Sequence, residues 1–177
     1  MIFHKTKLAG VFEIYIEPKT DERGFFARSW CRQEFEREGL NPNLAQCSIS
    51  FNSRKGTLRG MHYQADCYAE AKLVRCTQGA IYDVAVDMRP HSATFMRWIG
   101  AELTAANRHA LYIPEGCAHG FLTLEDNTEV FYQISESYHP EAARGARWND
   151  PAFGIAWPGA VEVISDRDRT YPDFEPR

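Results

Sequence analysis

The sequence predicts an all-β domain folded as a jelly roll. Segment after segment alternates apolar and polar residues or forms a short apolar run, at the spacing of strands in a sandwich or barrel. Turn-forming residues lie between the segments, as at Gln78-Gly79 and Pro114-Glu115-Gly116. Among all-β folds, a jelly roll of about eight strands hides most of its sheet edges and can hold a pocket in its interior.

The N-terminal elements are predicted from local pattern. Residues 11–18 (VFEIYIEP) alternate apolar and polar side chains and stop at a proline, which is typical of a short half-buried strand. Residues 21–24 form a turn, and residues 25–30 are expected to form another strand. Residues 31–40 space Phe35 and Leu40 among charges and precede Asn41-Pro42, which indicates a brief surface helix.

The rest of the chain is predicted to be strands followed by an irregular tail. The tail begins near Trp148, is rich in proline, tryptophan and aspartate, and should pack over the body of the domain. The expected strands cover residues 44–51, 57–64, 71–78, 80–88, 95–103, 109–114, 119–126 and 128–135.

Length and composition indicate one globular domain. A chain of 177 residues holds one core of ordinary size, so residues 1–177 are expected to form a single domain. The 44% hydrophobic and 25% charged content is typical of a globular protein, and no apolar run approaches the roughly 20 residues that span a membrane. With no stretch resembling a signal peptide, a cytoplasmic location and no membrane partner are expected.

Charge and cysteine content narrow the partners. A net charge of -4 gives no overall basic field, so no nucleic-acid partner is expected, and an anionic ligand must be met locally by a few arginines and lysines. The five cysteines are odd in number and lack a C-x-x-C pair. This argues against a disulfide framework and a zinc knuckle, and predicts free thiols.

The most informative stretch runs from Gly56 to Lys72. Arg59, His62 and Gln64 interrupt the apolar residues of a predicted strand, and Lys72 opens the next apolar run. Buried polar side chains need partners or a ligand, and a jelly roll can bring His119 and Tyr132 to the same pocket. Three simpler interpretations stay open: His62 as a hydrogen-bonded core histidine, Lys72 as a charge at the edge of a strand, and Tyr132 as a core aromatic residue.

Arg59 and His62 pose a geometric problem for this interpretation. They are an odd number of positions apart, so a regular strand would direct them to opposite faces. Gly60 lies between them, and we predict a β-bulge there that turns one side chain toward the pocket.

Several blocks together resemble a known family. DERGFF, TLRGMHYQ, KLVRC, DVAVDMRP, IPEGCAHGF, WNDP and SDRD resemble, in order and spacing, the dTDP-4-dehydrorhamnose 3,5-epimerase family, from Asp21 to Asp168. These are cupin-like jelly rolls (double-stranded β-helices). The resemblance implies a nucleotide-sugar epimerase that inverts C3, C5 or both of a dTDP-4-keto-6-deoxyhexose through an enolate, in deoxysugar biosynthesis. It also implies a homodimer that needs no cofactor.

The resemblance assigns roles to individual residues. His62 would be the base, Asp168 its hydrogen-bonded carboxylate, Tyr132 the acid on the opposite face and Lys72 the group that meets the developing oxyanion. An imidazole suits the role of base because it titrates near pH 6.5, with about half of it neutral there. The implied substrate-binding residues are Arg23, Arg28, Gln46, Ser48, Arg59, His119, Tyr138 and Arg167.

The chain departs from the family at positions implied to bind substrate. Arg28, Ser48, Glu70 and Ala143 stand where the family usually has Glu, Asn, Gln and Glu, and Arg167 replaces a usual Lys. These changes alter charge and hydrogen-bonding capacity. Epimerase chemistry is therefore expected to be retained, while the nucleotide base, the sugar and the number of inverted carbons stay open.

Two alternatives of other classes remain. A metal-dependent cupin needs two or three histidines and a carboxylate, commonly with a His-x-His pair, which this chain lacks, so no metal is predicted. A noncatalytic sugar-binding cupin is the other, because a fold alone does not confer a function. The presence of His62, Tyr132 and Asp168 favours an enzyme over both.

Overall fold

The structure, a computed structural model, describes residues 1–175 and is built mainly of β-strands. Its helices are short: α1 (Arg32–Arg37), α2 (Asp166–Arg169) and a 3₁₀ turn (Asp66–Tyr68). The strands are β1 (Ile2–Lys5), β2 (Phe12–Tyr15), β3 (Lys19–Asp21), β4 (Gly24–Phe26), β5 (Gln46–Asn52), β6 (Thr57–Gln64), β7 (Lys72–Gln78), β8 (Ala80–Asp87), β9 (Trp98–Thr104), β10 (Ala110–Ile113), β11 (Cys117–Thr123), β12 (Thr128–Ile134), β13 (Ala143–Gly145) and β14 (Val163–Ile164).

Two sheets form the jelly roll. Sheet A has the strand order β1-β2-β10-β7-β12-β5, and sheet B has the order β13-β6-β11-β8-β9, with β14 added in parallel to β6. All other neighbouring strands within these sheets are antiparallel. The predicted all-β jelly roll is confirmed. Because β5, β6, β7, β11 and β12 come from distant parts of the sequence, the fold can gather distant side chains at one place.

The main core lies between the two sheets. Val74, Leu111 and Val130 of sheet A pack in one cluster with Ile81 and Phe121 of sheet B, and all are buried. Full burial of a large apolar side chain contributes about 1.5–3 kcal/mol to stability. This core holds the two sheets together, and Tyr132, which lines the polar cavity described below, packs against it.

Helix α1 covers part of the outer face of sheet A. Its Phe35 is buried against Leu73 and Tyr112. The rings of Phe35 and Tyr112 meet edge to face, with their centres 5.8 Å apart. The surface helix predicted over residues 31–40 is confirmed, although it occupies only Arg32–Arg37. Strands β5 and β12 at the far edge of the same sheet lie beyond this cluster.

The C-terminal tail covers the outer face of sheet B. Phe153, Trp157 and Phe174 pack in a cluster with Met61 and Val84 of that sheet. This confirms a tail that packs over the body. The sequence pattern did not predict that the tail contains α2, which carries a site residue.

Several strand boundaries differ from the prediction. The strand expected over residues 25–30 ends at Phe26, and the one expected from Phe95 begins at Trp98. Residues 92–97 instead form turns around the Asp87 carboxylate, which accepts hydrogen bonds from Ser92 and Thr94. Strands β1, β13 and β14 were not predicted, because they are two to four residues long and are specified by the neighbours they pair with.

Two further features concern the whole described chain. The five cysteines are free thiols, as predicted. In residues 1–175, no helix is long and apolar enough to cross a membrane.

Candidate active site

A cavity of about 720 Å³ opens between the two sheets and the C-terminal tail. The predicted site residues that line it are Gln46, Ser48, Arg59, His62, Lys72, His119, Tyr132, Tyr138, Arg167 and Asp168. The stretch that holds Arg59, His62, Gln64 and Lys72 therefore shares one pocket with His119 and Tyr132, as the sequence predicted. Its volume is in the range of ordinary small-molecule sites.

A β-bulge at Gly60 directs both Arg59 and His62 to this cavity. On β11, His119 pairs with His62 and Phe121 with Arg59, so three steps along β6 oppose two along β11. Gly60 has a φ of 138°, and a Cβ there would overlap the Cα of Gly120. Only glycine tolerates this conformation and this close approach. The bulge predicted from the parity of Arg59 and His62 is confirmed.

His62 and Asp168 form a hydrogen-bonded pair. His62 Nε2 lies 2.6 Å from Asp168 Oδ1, and the imidazole is 41% exposed whereas the carboxylate is only 6% exposed. Burial raises the pKa of Asp168, but hydrogen bonds from His62, the Gly60 N–H and the Ser165 hydroxyl outweigh it and lower the pKa overall. Since an ionised carboxylate only accepts hydrogen bonds, Nε2 carries the proton and Nδ1 is left as the acceptor.

Local structure positions Asp168. It lies in the first turn of α2, whose N-cap Ser165 accepts a hydrogen bond from the Asp168 N–H through its side chain. Asp168 Oδ2 also accepts from the Gly60 N–H at 3.2 Å. The bulge and the tail helix are thus tied to each other through one carboxylate.

Lys72 is the first residue of β7 and is nearly buried at the wall of the cavity. Its Nζ lies 2.9 Å from Glu70 Oε1 and donates to the backbone carbonyl of His62 at 3.2 Å. The Lys72 and Glu70 side chains are 9% and 8% exposed. Glu70, one of the positions at which the chain departs from the family, also lines the cavity, although the sequence assigned it no role of its own.

Tyr132 on β12 faces the same space from sheet A. Burial raises the pKa of its hydroxyl, and the negative charge of Asp83 raises it further, while Arg59 acts in the opposite direction. A raised pKa keeps the phenol protonated at neutral pH. The ring meets His119 edge to face, with ring centres 5.8 Å apart.

A second histidine–carboxylate pair lies deeper in the cavity wall. His119 Nε2 is 2.6 Å from Asp83 Oδ1, and both side chains are nearly or fully buried. Burial raises the pKa of Asp83, whereas the nearby His119 and Lys72 lower it. Asp83 Oδ2 is the only buried side-chain polar atom in the described chain without a hydrogen-bond partner. Sequence reasoning missed Asp83, although a lone carboxylate in the apolar run AIYDVAV was a usable signal.

The other cavity residues hold the walls and the rim. Arg59 Nε donates to Asn52 Oδ1 at 2.7 Å, and Arg167 Nε donates to the Tyr171 hydroxyl at 2.9 Å. Gln64 bonds through its amide to the backbone of Tyr68, Ser137 and His139, so its role is to secure the loops beside the cavity. Arg144 also lines the cavity and was not predicted.

Arg23 and Arg28 do not line the cavity of their own chain. Arg23 is exposed on the β3–β4 hairpin and pairs with Asp21 at 2.5 Å. Arg28 pairs with Glu34 of α1 at 2.7 Å. Their substrate-binding role therefore stays a prediction.

The histidines and carboxylates of the cavity form pairs and are not gathered around a common point. Among residues 1–175, no three His, Cys, Asp or Glu side chains are grouped so as to hold a metal ion. Each cavity histidine has its own carboxylate partner instead.

Fold and site together define the class of protein, a cupin-like jelly roll with a polar cavity. The cavity holds two histidines that each contact a carboxylate, together with a phenol and an ammonium group, which are groups that can take, give or stabilise charge in proton transfer. The family model of dTDP-4-dehydrorhamnose 3,5-epimerase matches residues 5–176. The chain belongs to this family, whose members are isomerases.

Relatives and solved structures agree with the family match. The chain is 46% identical to the dTDP-4-dehydrorhamnose 3,5-epimerase of Escherichia coli, over 85% of this chain and 83% of that one. It is similar to the crystal structure of the enzyme from Elizabethkingia anophelis, with a TM-score of 0.95, 38% identity and coverage of 98% and 96%. It is also similar to a 3'-monoepimerase from Streptomyces bikiniensis in complex with dTDP-quinovose, with a TM-score of 0.87, 32% identity and coverage of 96% and 86%.

Proposed function

We propose that this protein inverts C3, C5 or both of a dTDP-linked 4-keto-6-deoxyhexose in deoxysugar biosynthesis. The observation that carries the proposal is that the His62–Asp168 pair, Tyr132 and Lys72 line one cavity. Inversion at carbon needs a base, an acid and a group that stabilises the intermediate charge, and these residues supply all three.

The first step removes a proton next to the ketone. His62 Nδ1 accepts the proton from C3 or C5, and the electron pair of the broken C–H bond moves to the C4 oxygen, forming an enolate. The Asp168 carboxylate, 2.6 Å from the other ring nitrogen, stabilises the imidazolium that results. The Lys72 ammonium provides positive charge for the enolate oxygen, a contact that strengthens as the charge develops.

The second step returns a proton to the opposite face. Tyr132 belongs to sheet A, whereas His62 belongs to sheet B, and the cavity lies between them. The phenol donates its proton to the carbon as the enolate collapses to the ketone. The imidazolium of His62 then passes its proton to the phenolate, or releases it to solvent while the phenolate takes one from solvent, and either route restores the enzyme.

The cavity rim and a similar protein bear on which substrate is bound and how many of its carbons are inverted. The rim residues Arg59, Arg167 and Tyr138 offer positive charge and an exposed aromatic ring for a nucleotide diphosphate. Inversion at one carbon is a specific alternative, because a structurally similar protein is a 3'-monoepimerase.

Solvent exchange tests the reaction directly. We expect the protein, incubated with a dTDP-4-keto-6-deoxyhexose in deuterated water, to place deuterium at C3, at C5 or at both. The His62→Ala variant should lose exchange by about 10²-fold or more while keeping the wild-type circular dichroism spectrum. Absence of exchange with dTDP-, UDP- and GDP-linked substrates would contradict the proposal and favour a sugar-binding cupin.

We also propose a homodimer formed through the outer face of sheet A. Ile49 and Phe51 of β5 are 63% and 52% exposed, and they lie beyond the part of the sheet that α1 covers. Apolar side chains in such a row on an edge strand are typical of an interface. A binding role for Arg23 and Arg28 would then require the cavity of a second chain, because neither lines its own.

We further propose that the chain forms a single domain and lies in the cytoplasm. A single domain over the chain is supported by the shared core between the two sheets. A cytoplasmic location is supported by five thiols that form no disulfide, which is typical of a reducing compartment.

A further inference from the structure

Glu70 is a carboxylate inside the candidate active site that the mechanism above does not use. It precedes β7 by two residues, is 8% exposed and lines the cavity. Its Oε1 lies 2.9 Å from Lys72 Nζ. A carboxylate this well buried beside a reacting centre needs a physical reason, because burying a charge is costly unless it is paired.

The backbone around Glu70 is firmly held. The carbonyl of Tyr68 accepts a hydrogen bond from the Gln64 side chain, and Ala71 exchanges hydrogen bonds with Ser135 at the end of β12. Tyr68 also stacks on His139 with ring centres 3.7 Å apart. The backbone on both sides of Glu70 is therefore tied to neighbouring segments, which places its side chain within reach of Lys72.

The contacts of Lys72 leave its ammonium one free direction. An ammonium group has three N–H donors; the Glu70 carboxylate and the His62 carbonyl occupy two of them. The third donor remains for a ligand in the cavity. The two acceptors thus determine how the lysine presents its charge.

Several other charged or titratable side chains surround Lys72, but the other carboxylates there have partners of their own. From sheet B, Arg59 and His62 of β6, His119 of β11 and Asp83 of β8 face this region, and Tyr132 faces it from β12. Asp83 is engaged with His119, and Asp168 is engaged with His62. Glu70 is the carboxylate that contacts the Lys72 ammonium directly.

We propose that Glu70 is a positioning residue that holds the Lys72 ammonium in place and aims its remaining N–H at the C4 oxygen of the substrate. This inference rests on the proposed epimerase function. It adds to that function the group that orients the oxyanion-stabilising ammonium. Glu70 itself acts through Lys72 and exchanges no proton with the substrate.

Two substitutions separate charge from geometry. Glu70→Gln keeps an oxygen that accepts the lysine hydrogen bond but removes the negative charge, whereas Glu70→Ala removes both. We expect the Gln variant to keep kcat within about threefold of wild type, because its amide oxygen still accepts from Lys72. We expect the Ala variant to lose kcat by about tenfold or more, with KM changed by less than threefold. Glu36→Gln on the exposed face of α1 is the matched control and should leave kcat and KM unchanged.

The outcomes distinguish this inference from the proposed function. No exchange by wild type would reject the epimerase function itself. Wild-type exchange combined with an unchanged kcat in Glu70→Ala would overturn only the role of Glu70. A faster Gln variant would overturn it as well, because it would show that the carboxylate opposes the enolate. A lower melting temperature with unchanged kinetics would reduce Glu70 to a structural residue.

Discussion

At the scale of single residues, the cavity pairs its titratable groups. Each of its histidines has a carboxylate 2.6 Å away, and its lysine has one 2.9 Å away. Tyr132 is the exception, since its raised pKa comes first from burial and then from the charge of Asp83. The groups that take or stabilise charge therefore each contact a carboxylate, and burial keeps the proton on the group that gives one.

Tyr132→Phe should separate exchange from inversion. Without the phenol, His62 can still remove a proton and return a deuteron to the same face, so exchange should fall by less than about tenfold. Inversion should fall by about 10²-fold or more, because no acid remains on the opposite face. Deuterium incorporation and the ratio of epimers are measured by NMR on the same sample. Equal losses of both would show that Tyr132 is not the opposite-face acid.

At the scale of elements, the antiparallel pairing of β6 with β11 is the feature that forms the site. The bulge at Gly60 pairs His62 with His119, and the Gly60 N–H donates a hydrogen bond to the Asp168 carboxylate.

Gly60→Ala should destabilise the fold by at least about 2 kcal/mol more than Gly24→Ala, as measured by urea unfolding. Gly24 is the matched control because its φ is 127° but a Cβ there meets no atom within 4 Å. Equal losses would mean that the close approach to Gly120 has no energetic consequence.

The turn after β8 depends on another buried carboxylate. Burial raises the pKa of Asp87, but hydrogen bonds from Arg89, Ser92 and Thr94 outweigh it and lower the pKa to about 2. A depressed folded-state pKa means that this carboxylate stabilises the fold fully above its unfolded pKa of about 3.9, and that the stabilisation is lost as the pH falls toward 2.

Asp87→Asn should therefore lower the free energy of unfolding by about 2–4 kcal/mol at pH 7. The difference from wild type should stay constant from pH 7 to about pH 5 and shrink below about pH 4, as followed by urea unfolding at each pH. Asp166→Asn, at a side chain that is 97% exposed, should change stability by less than about 0.5 kcal/mol. A difference that grows on acidification would contradict the role given to Asp87.

At the scale of the whole molecule, the proposed dimer is tested by its mass in solution. Ile49→Lys combined with Phe51→Glu should convert a dimer to a monomer, because charges replace the exposed apolar pair on β5. Light scattering during size-exclusion chromatography reports the mass. Ile2→Lys, at the opposite edge of sheet A and 44% exposed, is the control that should remain dimeric. A monomeric wild-type protein would reject the interface.

The sequence by itself determined the fold class, the middle strands and the residues of the proposed chemistry. Strands such as β6, β7, β8 and β12 were predictable because burial on a pleated sheet imposes a pattern on neighbouring residues. The bulge at Gly60 was predictable from the parity of two side chains. The catalytic roles came from the blocks that resemble the family, since side-chain periodicity left His62 and Tyr132 open to a purely structural interpretation.

Only the tertiary structure decided which of those residues meet. Asp168 reaches His62 across more than a hundred positions of sequence, and the pairs His119–Asp83 and Lys72–Glu70 exist because strands and a loop converge on one cavity. Strands β1, β13 and β14 likewise owe their existence to partner strands. Long-range pairing leaves no local pattern, because its energy comes from the contact between segments and not from either segment alone.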